Sequence, residues 1–295
     1  MRNVFLASAA IAAIALPATA HEEGAARELD TVTVHGRGLE LIGEATAASE
    51  GVVGYDDFKD RPLARVGELV EAIPGAVATQ HSGEGKANQY FLRGFNLDHG
   101  TDFSAAVDGV PVNLRTHGHG QGYLDLNFVI PEVVERVDYR KGPYSAQTGD
   151  FSAAGSARYR TYDALDEPFI EVGLGEGNFR RLIGAGSFEA GTGNTVLLAG
   201  EAQTYDGPWV LEQNVEKLNA LAKFTHVGTQ SRYQLVATAY DIDYTSTDQV
   251  PLRAIKSGRI GRFGFIDDDL GGETSRYALS GSAEWYSANG AVTQA

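Results

Sequence analysis

From Arg276 to Tyr286 the side chains alternate with a period of two, and this alternation limits the possible folds more than any other feature. Tyr277, Leu279, Gly281, Ala283 and Trp285 share one parity, while Arg276, Ser280, Ser282 and Glu284 share the other. A period of two is that of a strand whose two faces meet different surroundings. The pattern recurs upstream. Leu218, Ala220, Ala222 and Phe224 oppose Lys217, Asn219, Lys223 and Thr225, with Leu221 interrupting the polar face. Tyr233, Leu235, Ala237 and Ala239 oppose Arg232, Gln234 and Thr238, and Val196, Leu198, Gly200 and Ala202 oppose Glu201 and Gln203.

A soluble sandwich also alternates, so the aromatic residues carry the distinction. Tyr277 and Trp285 lie on one face, about 26 Å apart at ~3.3 Å per residue. At a tilt of ~40° this covers about 20 Å of membrane normal, near the ~25 Å band flanked by aromatic girdles in outer-membrane barrels. The connections support this reading. Gly191–Asn194 and Gly228–Gln230 are tight, whereas Asp206–Glu216 and Thr247–Thr274 are long, the asymmetry of short periplasmic turns and long outer loops. Strands are expected near 168–177, 180–190, 194–205, 216–227, 231–246 and 275–287, with a seventh from Ala291. Six or seven strands cannot close a bacterial barrel, which needs at least about eight, so the chain is expected to be the N-terminal part of a longer protein.

At the other end, Arg2 precedes an apolar run from Val4 to Leu16 and then Pro17-Ala18-Thr19-Ala20. This reads as a cleavable export signal over residues 1–20, too short for a helix that spans a bilayer. Over the 295 residues, 39 acidic against 24 basic side chains give a net charge of -15, which argues against nucleic acid as a partner. Cysteine is absent, so disulfides and thiolate metal sites are excluded. No G-x-S-x-G, H-E-x-x-H or P-loop pattern occurs, and no catalytic residues or enzyme activity are expected.

Between the signal and the strands the pattern changes to mixed helix and strand. Arg65 to Ile73 reads as a short amphipathic helix with Val66, Leu69, Val70 and Ile73 on one side, stopped by Pro74-Gly75, and a strand follows to Gln80. Gln89 to Phe95 contains Leu92-Arg93-Gly94-Phe95. Val107-Asp108-Gly109-Val110-Pro111-Val112 carries the Asp-Gly signal of a tight hairpin. Glu135-Arg136-Val137 leads through Arg140 and Lys141 to Gly142-Pro143-Tyr144-Ser145.

In this order the blocks resemble the plug domain of TonB-dependent outer-membrane receptors, with Asp30-Thr31-Val32-Thr33-Val34 in the place of the TonB box. Thr148-Gly149 departs from the family's usual Tyr-Gly. The resemblance implies an α+β plug domain followed by antiparallel transmembrane β-barrel strands, the barrel incomplete in this chain. The segments are a signal peptide (1–20), TonB box and linker (21–44), plug (45–163) and first barrel strands (164–295). It further implies residence in the outer membrane of a Gram-negative bacterium, in contact with its lipid. Work would come from TonB with ExbB and ExbD, through strand pairing by Asp30–Val34, whose β-branched residues favour extended backbone.

The resemblance gives structural roles in the plug to Arg93, Gly94, Asp108, Gly109, Glu135, Arg136, Gly142 and Pro143, and Arg140 and Lys141 are expected to join them as ion pairs. Four histidines, His81, His99, His117 and His119, fall in polar, turn-like stretches of the plug, and His117 and His119 would share one face if extended. Imidazole with carboxylate suits Zn(II), Cu(II) or Ni(II). The cargo is therefore expected to be one of these metals or a chelate of one, while the resemblance implies a ferric siderophore as the alternative, with no cofactor required. The competing readings are a passive barrel pore or adhesin and a secreted β-rich hydrolase.

Overall fold

The computed structural model describes residues 47–295 apart from 64, 81 and 289. The signal segment, Asp30–Val34 and His81 therefore lie outside the described residues. Among those described, no helix is long and apolar enough to cross a membrane.

The chain begins with β1 (Glu50–Gly54) and a single helical turn, α1 (Tyr55–Phe58). The segment expected as an amphipathic α-helix is instead a 3-10 helix over Val66–Ala72, although Val66, Leu69, Val70 and Ile73 are all buried as the pattern required. Two features keep it tight. Gly67 packs directly against the Asn88 side chain, and the Ile73 N–H bonds to the Val70 carbonyl at 3.0 Å before Pro74 ends the turn.

A hairpin of β2 (Ala76–Thr79), β3 (Gln89–Leu92) and β4 (Phe95–Asn96) follows. Then come β5 (Phe103–Val107), β6 (Val110–Pro111), β7 (Val134–Lys141) and β8 (Gly155–Thr161), which assemble with β1 in the order β1-β7-β8-β5-β6. β5 and β8 are parallel and the other pairs antiparallel. Asp108 and Gly109 form the β5–β6 turn with φ of 45° and 83°, the positive values that an Asp-Gly hairpin requires.

The second half is an antiparallel meander of β9 (Phe169–Leu174), β10 (Arg180–Glu189), β11 (Asn194–Tyr205), β12 (Val215–Val227), β13 (Ser231–Thr245), β14 (Gly271–Tyr286) and β15 (Val292–Gln294). The expected strands are all present. β14 starts earlier than its alternation signalled, because Gly271 to Thr274 continue the ladder against Thr245 to Ile242. A Cβ on Gly271 would lie 2.5 Å from the Tyr244 carbonyl oxygen, so glycine permits the pairing while hiding it from a side-chain pattern. The longest connection, Ser246 to Leu270, carries a short helix, α2 (Leu252–Lys256).

Burial in this sheet is inverted relative to a soluble protein. Lys217, Asn219, Lys223, Thr225, Glu201 and Gln203 are buried, while Leu198, Leu218, Leu235, Tyr277, Leu279 and Trp285 are exposed. Leu218 is 64% exposed and its neighbour Lys217 only 5%. The polar face lies against the first domain and the apolar face is left outward. Tyr277 donates to the Asp241 carboxylate and Trp285 Nε1 donates to the Tyr233 hydroxyl at 3.1 Å, so the outward aromatics keep polar partners, as girdle residues do.

One hydrophobic core joins the two halves. Phe58, Leu69, Tyr90, Leu92, Phe103, Leu124 and Tyr159 pack with Val215, Tyr240 and Ile242 of the sheet. A second cluster sets Ile130 and Val133 against Ile183, Leu197 and Leu221. Leu221, which breaks the polar parity of β12, therefore meets an apolar patch on the plug. Each large side chain removed from water at this contact contributes about 1.5–3 kcal/mol.

Candidate functional site

The loops of the first domain meet the sheet at its long-loop end. A cavity of about 820 Å³ opens there, lined by His117, His119, Tyr123 and Asp125 from the domain and by Tyr244, Asp248, Glu273 and Arg276 from the wall and its loops. Below this level the domain is tied to the inward polar face. Lys223 Nζ reaches Asp108 Oδ1 at 3.4 Å, the Thr161 carbonyl at 2.8 Å and Asp163 Oδ1 at 3.1 Å. Asp163 also accepts from Arg232 and Gln234, and Asn219 donates to the Phe128 carbonyl at 2.7 Å. Arg181 forks onto Glu132 and pairs with Glu201, and Arg276 donates to the Pro111 carbonyl while covering the Phe128 ring.

The charges singled out from sequence sit mostly within the domain. Arg140 pairs with Glu50 at 2.7 Å across β1 and β7, and Arg136 lies 3.4 Å from Asp138. Lys141 is buried, donates to the Pro74 carbonyl at 3.1 Å and lies over the Tyr139 ring. Arg93 hydrogen-bonds to the Ser49 hydroxyl at 3.4 Å, and with Gly94 forms a positive-φ turn between β3 and β4. Glu135 is half-buried, and burial raises its carboxyl above the ordinary range. Gly142, at φ 108°, turns the chain after β7, where its N–H bonds to the Ala154 carbonyl, and Pro143 follows.

Among the described residues that sequence reasoning named in the domain, Asp108 makes a direct ion pair with the wall, to Lys223. Lys223, Arg181 and Arg232 supply the wall side. The sequence signal of Lys223 and Arg232 was that they fall on the polar parity of alternating strands, whereas Arg181 shares its parity with the apolar Ile183 and Ala185 and carried no such signal.

The histidines divide differently from their spacing. His117-Gly118-His119 is a bend rather than an extended strand, so the two rings separate. His117 stacks on Tyr123 with ring centroids 3.9 Å apart, and its Nδ1 accepts the His119 backbone N–H at 3.1 Å. His119 turns back to Asp98, with Nε2 3.1 Å from Oδ2, and its ring meets that of His99 edge to face at 4.5 Å. His99 is buried, and its Nδ1 lies 2.8 Å from the Ala87 carbonyl and 3.1 Å from that of Asn88. Burial lowers the pKa of His99 and His117, favouring neutral imidazole. Asp125, on the cavity lining, is pushed up to about 6 by burial, against the opposing effects of the Asn127 N–H and Arg276.

A mixed domain set against the polar face of an outward-apolar antiparallel sheet defines a plugged β-barrel wall. Residues 43–156 match the family model of the TonB-dependent Receptor Plug Domain, so this part of the chain is similar to the plug of such receptors, and the strands after it form a partial barrel wall. Solved structures agree in fold. The siderophore receptor PirA from Acinetobacter baumannii superposes with a TM-score of 0.61 at 19% identity, covering 82% of this chain and 38% of that one. The ferric enterobactin receptor PfeA from Pseudomonas aeruginosa gives 0.58 at 16% identity, covering 84% and 40%. The ferripyoverdine receptor of the outer membrane of Pseudomonas aeruginosa gives 0.61 at 18% identity, covering 83% and 33%. The chain thus spans two fifths or less of the length of these structures.

Proposed function

We propose that this chain forms the gate and part of the wall of an outer-membrane importer that brings a metal ion or metal chelate, ferric siderophores included, into the periplasm. The observation that carries this reading is the inverted sheet. Its apolar face suits lipid, and its polar face is occupied by a domain that would block a lumen until moved. An outer membrane holds no useful ion gradient, so the work of moving the plug is assigned to TonB with ExbB and ExbD, pairing with Asp30–Val34 as an added strand. Export through the 1–20 signal delivers the chain to that membrane.

The test combines fractionation with deletion. The protein should be recovered with outer-membrane lipid, and removing Asp30–Val34 should abolish uptake of the cargo while surface binding persists. Recovery of the product in soluble periplasm, or uptake that survives the deletion, would sink the reading; the second result would favour a passive pore.

A further inference from the structure

Asp98, His99 and His119 bring one ligand atom each within 4.8 Å of one another, and His119 also lines the cavity. We infer that these three side chains form a binding site for a single late first-row divalent metal ion, zinc or copper(II), taken as the ion itself, with the remaining coordination position open toward the cavity. The inference rests on the import reading only in making this ion a cargo; the site stands on its own geometry.

Each ligand is held by the backbone that presents it. Asp98 adopts φ 48°, a left-handed conformation that Asp tolerates, and its N–H bonds to the Asn96 side chain at 2.9 Å. Its carbonyl accepts the Tyr90 N–H at 2.8 Å, tying this turn to β3. His99 supplies the fixed member. The two oxygens near its Nδ1 are carbonyls, which only accept, so Nδ1 carries the proton and Nε2 is the lone-pair nitrogen. That nitrogen faces Asp98 Oδ1 at 3.8 Å. A histidine locked by Nδ1–H to a backbone carbonyl, with Nε2 turned toward a carboxylate and a second imidazole, has the orientation that metal-binding histidines receive from their surroundings.

His119 and Asp98 are the adjustable members, 37% and 50% exposed, and His119 lines the cavity. Tetrahedral coordination at about 2.0–2.2 Å places ligand atoms roughly 3.3–3.5 Å apart, so modest rotation of these two side chains closes the site around an ion while His99 stays in place. Two nitrogens and one oxygen select zinc or copper over magnesium or calcium, which prefer all-oxygen shells. His117 is a positioning residue. Its Nδ1 holds the His119 backbone and its ring is stacked on Tyr123, whose hydroxyl accepts the Ala87 N–H at 3.0 Å beside the His99 anchor.

The test is calorimetric titration of the untagged protein in detergent with zinc chloride, copper(II) chloride and magnesium chloride, followed by cobalt(II) substitution read by its visible absorption. One equivalent of zinc or copper should bind, magnesium should not, and His119→Ala and Asp98→Asn, both at exposed positions, should each weaken binding at least tenfold. His117→Ala should weaken it less and leave the cobalt spectrum in place. Absence of saturable zinc and copper binding, or affinity unchanged in both His119→Ala and Asp98→Asn, overturns the site. Binding is read without TonB, so loss of the site would leave the importer reading with another cargo, whereas TonB-independent uptake would overturn that reading and leave the site standing.

Discussion

Replacing Lys223 by Met should loosen the plug from its wall without disturbing the wall itself. The lysine is 2% exposed and joins three plug-side groups: Asp108, Thr161 and Asp163. Breaking a buried ion pair from one side costs about 3–5 kcal/mol when the remaining charge is stranded. Here stranding is incomplete. Asp108 keeps the Thr161 N–H and hydroxyl, and Asp163 keeps Arg232 and Gln234. A cost of about 2–3 kcal/mol follows, which is roughly a 30- to 150-fold rise in the population with the plug opened at this contact.

Amide hydrogen exchange on the purified protein reads that population where losing the Lys223 contact loosens the β5–β8 pair and the Asp108 turn that it holds from the wall. Lys217→Met is the comparison: Lys217 pairs with Glu201 within the wall, so its loss should speed exchange in β11 and β12 more than in β5 and β8. Burial by itself would raise the Asp163 carboxyl, but Lys223 and Arg232 outweigh it and hold it below the ordinary range. A group depressed in this way contributes stability above its unfolded pKa and loses it as pH falls through the folded value, so Lys223→Met should also flatten the acid sensitivity of docking. Exchange in β5 and β8 that stays within twofold of the parent would refute the assignment of Lys223 as a plug anchor.

Two further outcomes follow from burial and charge. Leu218→Arg places a cation on the outward face at a cost of about 2–4 kcal/mol near the bilayer midplane, and should impair insertion into lipid vesicles; insertion at parental yield would contradict a lipid-facing sheet. Asp125 titrates near 6 when folded, so it retains a proton that the unfolded chain releases above about 4; its contribution is favourable at low pH and is lost as pH rises to about 6, on the order of 2–3 kcal/mol. Asp125→Asn should therefore raise the thermal midpoint at pH 7.5 and change it little at pH 4, and equal shifts at both would exclude burial of the charge as the cause.

Much of this architecture was legible because it is written locally. Each wall strand repeats its two-faced pattern within a dozen residues, and pairing along the meander joins sequence neighbours, so strand positions followed from alternation and turn residues. The Asp108-Gly109 turn was legible for the same reason, since positive φ selects those residue types. Local pattern failed where glycine carried the pairing, at Gly271 and Gly272, and where a crowded seven-residue segment took 3-10 rather than α geometry.

What the chain alone determined is that its second half has one apolar and one polar face. Only the tertiary structure decided what each face meets, because alternation is indifferent to which side is buried. The ligand cluster shows the same limit: His117 and His119 look paired by spacing, yet a bend sends one to Tyr123 and returns the other to Asp98 and His99. Contacts between residues so distant in sequence depend on how loops cross in space, and no local periodicity records that.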